Sequence, residues 1–132
     1  MTIEEAWKQL LSTVAVNLTA MIDGRIYSDV LPNNVTLPAA VFLVPSDIPF
    51  TAHDGDSGLA TAVIQTDFWS DNRLECAQMR AAARADLNGF TGVIGDLHLS
   101  VVETGSSPDY NPDLTLKRSI TEWRVMYREA VQ

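Results

Sequence analysis

From Leu59 to Trp69 the chain sorts its residues by parity. Ala60, Ala62, Ile64, Thr66 and Phe68 fall on one side, and Thr61, Val63, Gln65, Asp67 and Trp69 on the other. Successive side chains of a strand point to opposite faces. This stretch therefore predicts a strand with one face in a core, and something in the chain must cover that face. Two amphipathic stretches supply the cover. Thr2 and Glu5 make a Thr-x-x-Glu capping box. Ile3, Ala6, Trp7, Leu10, Leu11, Val14, Leu18, Met21 and Ile22 then recur at three- and four-residue steps, which predicts a helix over 3–22 closed by Asp23-Gly24. A second helix starts near Asn72, with Glu75 three residues on, and runs through an alanine-rich stretch to Asn88-Gly89.

Three further strands are legible. Ala39–Val44 is a compact apolar run opened by Pro38 and stopped by Pro45. Leu97, Leu99 and Val101 alternate with His98, Ser100 and Val102. The last strand spans about 114–128, with Trp123, Val125 and Tyr127 on one face and Leu114, Leu116 and Ile120 on the other. Residues 25–37 read as a short extended connection, Gly89, Gly92 and Gly95 as a loose turn, and 46–58 and 105–113 as long mobile loops. The expected fold class is α+β in the order α-β-β-α-β-β: one domain over 1–132, with an antiparallel sheet (mixed pairing also fits) and two helices on one face.

Charge and composition exclude several functions. Asp and Glu total 17 against 9 Lys and Arg, a net charge of −8. Nucleic-acid affinity comes largely from cations that neutralise phosphates, so stable DNA or RNA binding is not expected, nor is an anionic membrane partner. No apolar run approaches the roughly 20 residues of a membrane span. The single cysteine, Cys76, rules out a disulfide within the chain and suits a reducing cytoplasm. Met1-Thr2-Ile3-Glu4-Glu5 lacks the basic-then-apolar pattern of a secretion signal.

Catalytic and metal motifs fail on inspection. Gly55-Asp56-Ser57-Gly58 matches the surroundings of a trypsin-type nucleophile, with His53 nearby. A Ser-His-Asp site needs its imidazole delivered from a separate rigid element, whereas these residues share one Gly/Asp-rich turn. Asp54-x-Asp56-x-Gly58 opens like a calcium loop, but its twelfth position is Gln65 where a bidentate Glu is required. His53 and His98 lack a second ligand at metal-like spacing. Gly89, Gly92 and Gly95 follow a helix, not the strand a dinucleotide fingerprint needs. The expectation is no enzyme, no cofactor and no metal.

What remains is surface. Arg73, Arg80 and Arg84 lie within about 20° on a helical wheel. They form either a solvated stripe or a row that meets an acidic edge of a neighbouring subunit through bidentate pairing. Phe50 sits in an acidic loop, Trp69 opposes Phe68, and Leu114, Leu116 and Ile120 oppose Trp123. With Arg118, these are the candidate contacts with a partner, and Asp47, Asp54 and Asp56 are the candidate functional acids.

The layout resembles the tail completion proteins of long-tailed phages and gene transfer particles, which include lambda-like tail terminators. The resemblance rests on Leu18-Thr19-Ala20 before Asp23-Gly24-Arg25-Ile26-Tyr27, on Leu37-Pro38, and on Gln65-Thr66-Asp67-Phe68-Trp69-Ser70. Tyr110-Asn111-Pro112-Asp113, Lys117-Arg118 and Glu122-Trp123-Arg124-Val125 complete it. It implies a virion tail protein assembled in the host cytoplasm. Its partners would be copies of itself in a ring, usually sixfold, the tail tube protein and the head-tail connector protein, with DNA passing through without stable binding; the candidate contacts would then meet a neighbouring subunit or the tube, and Asp47, Asp54 and Asp56 would face the channel. A neighbouring neck protein, or a non-viral adaptor domain, are the alternative readings.

Overall fold

The computed structural model describes residues 1–52, 55–109 and 116–129. Its elements are α1 (Ile3–Thr13), α2 (Val16–Ile22), β1 (Ile26–Ser28), β2 (Ala39–Ala52), β3 (Gly55–Ser70), α3 (Arg73–Leu87), β4 (Thr91–Ile94), β5 (Leu97–Asp109) and β6 (Lys117–Glu129). The α+β class holds. The sheet has six strands in the order β1-β2-β3-β6-β5-β4, and it is mixed: β1 runs parallel to β2 while every other pairing is antiparallel.

Where the expected helix 3–22 should be continuous, two helices appear. Ser12 and Thr13 hydroxyls bond back to the Lys8 and Gln9 carbonyls at 2.8 and 2.7 Å, and the β-branched Val14 and Val16 flank the break. The kink lets Ala15, Leu18 and Ile22 bury fully along with Ala6, Trp7, Leu10 and Leu11. The start of α1 follows its sequence: Glu5 N–H donates to Thr2 Oγ1, and Thr2 N–H to Glu5 Oε1, both at 3.1 Å. Those bonds hold the Glu5 carboxyl below its usual range.

The expected loops at 46–58 and 105–113 are largely strand. Residues 46–52 and 55–58 extend the β2–β3 hairpin, and 105–109 extend β5. His53, Asp54, 110–113 and Leu114 lie outside the described residues. Pro45 does not stop β2, because β1 pairs only with Ala40–Phe42. Pro45 thus sits on a sheet edge, within a bulge between Leu43 and Ser46, where a missing N–H costs little. Residues 26–28 and 91–94, expected as connection and turn, are short outer strands.

One apolar cluster joins the helices to one face of the sheet. Phe42, Ile64, Phe68, Leu99, Val101, Trp123 and Val125 project from the strands and are all at most 2% exposed. Trp7 stands 5.8 Å from Trp123, ring centre to ring centre, and donates Nε1–H to Thr66 Oγ1 at 3.1 Å. Fully burying each large side chain contributes about 1.5–3 kcal/mol.

Candidate assembly surface

Strand register assigns every other residue of the four central strands to the face that no helix covers. Five transverse rows result: Ala39–Trp69–Arg118, Val41–Asp67–Ile120–Ser107, Leu43–Gln65–Glu122–Gly105, Ser46–Val63–Arg124–Val102 and Ile48–Thr61–Met126–Ser100. The parity of Trp69 against Phe68 and of Ile120 against Trp123 is as expected from sequence: Phe68 and Trp123 are in the core, Trp69 and Ile120 on the open face.

The face is graded along its length. At one end Asp67, 4% exposed, accepts from Gln65 Nε2 at 3.0 Å and pairs with Arg118 at 3.3 Å. The Arg118 guanidinium lies 5.0 Å from the Trp69 ring centre, and Arg73 donates to the Arg118 carbonyl at 3.1 Å. Together these groups make a flat, cross-braced platform that carries its own countercharge. Trp69 Nε1 is enclosed without a hydrogen-bond partner among the described residues. At the other end the face is apolar and open: Ile48 is 64% exposed, Met126 48% and Val102 46%. Phe50, near the hairpin tip, is also exposed, and Leu116 is half-buried.

The three arginines of α3 do not act alike. Arg73 reaches the Arg118 backbone as above. Arg80 is half-buried, and its Nε has no hydrogen-bond partner among the described residues. Arg84 grips Glu103 of the same chain with two bonds and also approaches Ser106 Oγ at 3.4 Å. Leu74, 65% exposed, stands on the outer surface of α3.

Among the candidate acids, Asp47 lies on the helix side of β2, opposite Ala62, and accepts a hydrogen bond from the Tyr127 hydroxyl at 2.6 Å. Burial, and then this bond, push the Tyr127 phenol well above its usual pKa. Asp56 pairs in register with Thr51 near the hairpin tip, and Asp54 is outside the described residues. Cys76 is buried, and that burial raises its thiol pKa. No group of three potential metal ligands occurs among the described residues, and none of their helices is long and apolar enough to cross a membrane.

Sequence reasoning missed the buried Asp67–Arg118 pair, Glu103 as the partner of Arg84, and the exposed Ile48, Val102 and Met126. Parity marks Met126 and Val102, since each neighbours a core residue (Val125, Val101) on an alternating strand. Nothing local marks the two ion pairs, whose partners are 51 and 19 residues apart.

The fold has known counterparts. A chain from the virion of a native gene transfer agent particle superposes with a TM-score of 0.62 at 16% identity, covering 93% of this chain and 91% of that one. A second solved structure superposes at 0.57 and 12% identity, covering 100% of this chain and 98% of its own. No curated protein matches in sequence. Residues 8–128 match the family described as tail completion protein gp17. The chain therefore belongs to the tail completion protein gp17 family and is a structural, non-enzymatic component of the phage-type virion tail.

Proposed function

We propose that the protein is a tail terminator: copies form a ring, with six subunits as the expected number, that caps the tail tube, stops its growth and presents a seat for the head-tail connector. The observation that carries this reading is the helix-free sheet face. Ile48, Val102 and Met126 stay open there, although a core of ample size has formed on the opposite side. Apolar surface on a folded subunit of a structural family is the kind a partner covers. Trp69, Ile120, Arg118 and Leu116 continue that surface towards the platform end, and the α3 arginines, Leu114 and Phe50 remain candidate contacts.

The net charge of −8 serves the same role. A ring whose lining is acidic repels phosphates, so DNA crosses it without adhering. In this reading Asp47, Asp54 and Asp56 face the channel. The test is genetic: remove the gene and image the particles. Overlong tails or tails without heads support termination, and tails of normal length joined to heads refute it.

A further inference from the structure

At the end of the sheet where β6 finishes, the two faces carry opposite charge. Arg124, Met126 and Arg128 alternate along β6, and all three are exposed on the helix-free side. Their register neighbours are Val63 and Val102, Thr61 and Ser100, and Leu59 and His98, none of them acidic. Glu122, one row away on that face, already accepts from Thr104 Oγ1 at 3.0 Å. The helix side of the same end is the reverse. A hollow of about 470 Å³ opens there beside Met1, Leu97, Tyr127 and Glu129. Glu4 adds to the burial and the Asp47 bond that raise the Tyr127 phenol, which places its carboxylate near the same hollow. Glu4 and Glu129 are both exposed, and no ion pair engages either of them among the described residues.

We propose that these two surfaces are the halves of one contact between copies: Met126 of one subunit enters the hollow beside Tyr127 of the next, and Arg124 and Arg128 pair with Glu4 and Glu129 at its rim. The contact rests on the ring reading above and names its surfaces.

Charge carries the choice of occupant. A chain of net charge −8 repels its own copies on average, so a lasting contact between them needs a place where the sign reverses. Arg25, Arg73, Arg84 and Arg118 are each bonded within the subunit, and Arg80 is half-buried. Arg124 and Arg128 remain exposed, with no ion pair among the described residues. An arginine suits such a site, because its planar fork pairs a carboxylate while its stem lies on apolar surface. Shape agrees with charge. Met126 is 48% exposed, and its unbranched side chain adapts to an irregular hollow. The arginines stand two residues to either side of it, roughly 7 Å along the strand, so a Met126 that enters the hollow brings a cation to each rim. The two surfaces lie on opposite faces of the sheet, and one partner cannot engage both at once. The contact therefore repeats head to tail from copy to copy, the pattern from which a ring closes.

The test is a charge swap in full-length protein supplied to tails that lack it, with rings counted at tail ends by electron microscopy. Arg124→Glu with Arg128→Glu is expected to abolish the rings, and so is Glu4→Lys with Glu129→Lys. All four side chains are exposed, so each isolated variant is expected to keep the parent's thermal midpoint. Combining the four substitutions reverses both sides of the contact and is expected to restore the rings. Arg128→Lys gives a second measurement that keeps the charge. It supplies an amine that a carbodiimide joins to a touching carboxylate, and covalent multimers linked from position 128 to Glu4 or Glu129 of another copy are expected. Rings that survive either charge reversal, rings still absent with a folded fourfold variant, or multimers linked only elsewhere overturn this contact and leave the ring standing. Parent tails with no ring at their end overturn both.

Discussion

Arg84 of α3 holds Glu103 of β5 through two bonds, Nε to Oε2 at 2.6 Å and Nη2 to Oε1 at 2.7 Å. Glu103 is largely enclosed, its side chain only 7% exposed, whereas Arg84 remains half open. The pair ties the helix to the sheet just where β5 bulges. A bidentate pair enclosed on the carboxylate side is screened less than a free surface pair. Glu103→Gln is expected to lower the thermal midpoint in low salt, with the difference from the parent narrowing in 1 M salt. An undiminished difference at high salt would mean that packing, not charge, is what the substitution removes.

The Trp7–Trp123 contact is the centre of the core. Trp123→Ala is expected to cost about 3–5 kcal/mol. Thr66→Val, which removes the acceptor of the Trp7 indole, is expected to cost about 1–3 kcal/mol. Urea unfolding followed by tryptophan fluorescence measures both, and a Thr66→Val variant as stable as the parent would show that the indole bond contributes nothing.

Asp67 accepts from Gln65 and Arg118 on the open face, and its removal takes an anchor from both. Asp67→Ala is expected to destabilise by about 1–3 kcal/mol and to free the Arg118 side chain from Trp69. A Trp69 side-chain signal in NMR that does not shift in this variant would count against the platform as a braced unit.

Tyr127 supplies the alkaline limit. Its phenol is raised in the folded state by burial and by Asp47, so the folded protein keeps the proton more tightly than the unfolded chain. The contribution is fully present below the unfolded value of about 10 and is lost as pH rises above it. Stability should fall from about pH 10 upward, and Tyr127→Phe should flatten that fall. Parallel midpoint-versus-pH curves for parent and variant between pH 9 and 11 would contradict the assignment.

Much of this fold can be read from residue order alone. The 59–69 alternation, the Thr2–Glu5 box and the alanine-rich helix all came from local patterns, and their structural counterparts follow. What escaped was decided by neighbours distant in sequence. Pro45 and Pro49 look like loop residues. They are strand because they lie on an outer edge of β2, where the ladder asks nothing of the missing N–H groups. The break at Val14 depends on hydroxyls competing for carbonyls and on a core that rewards the kink. β1 and β4 are too short to show a period. Of the surface, Trp69 and Ile120 were visible as parity violations, but the partners of Arg84 and Arg118 exist only once the strands are in register.

The account stands on the helix-free face being covered in the assembled tail, and Met126 reports on it directly. Its side chain is 48% exposed in the free subunit, whereas Met79 is fully buried and serves as the internal control. The measurement is peroxide oxidation of both methionines, read by peptide mass spectrometry, in the isolated chain and in purified tails. The expected result is rapid oxidation of Met126 in the isolated chain, strong protection in tails, and protection of Met79 in both. Equal oxidation of Met126 in the two samples would contradict the account.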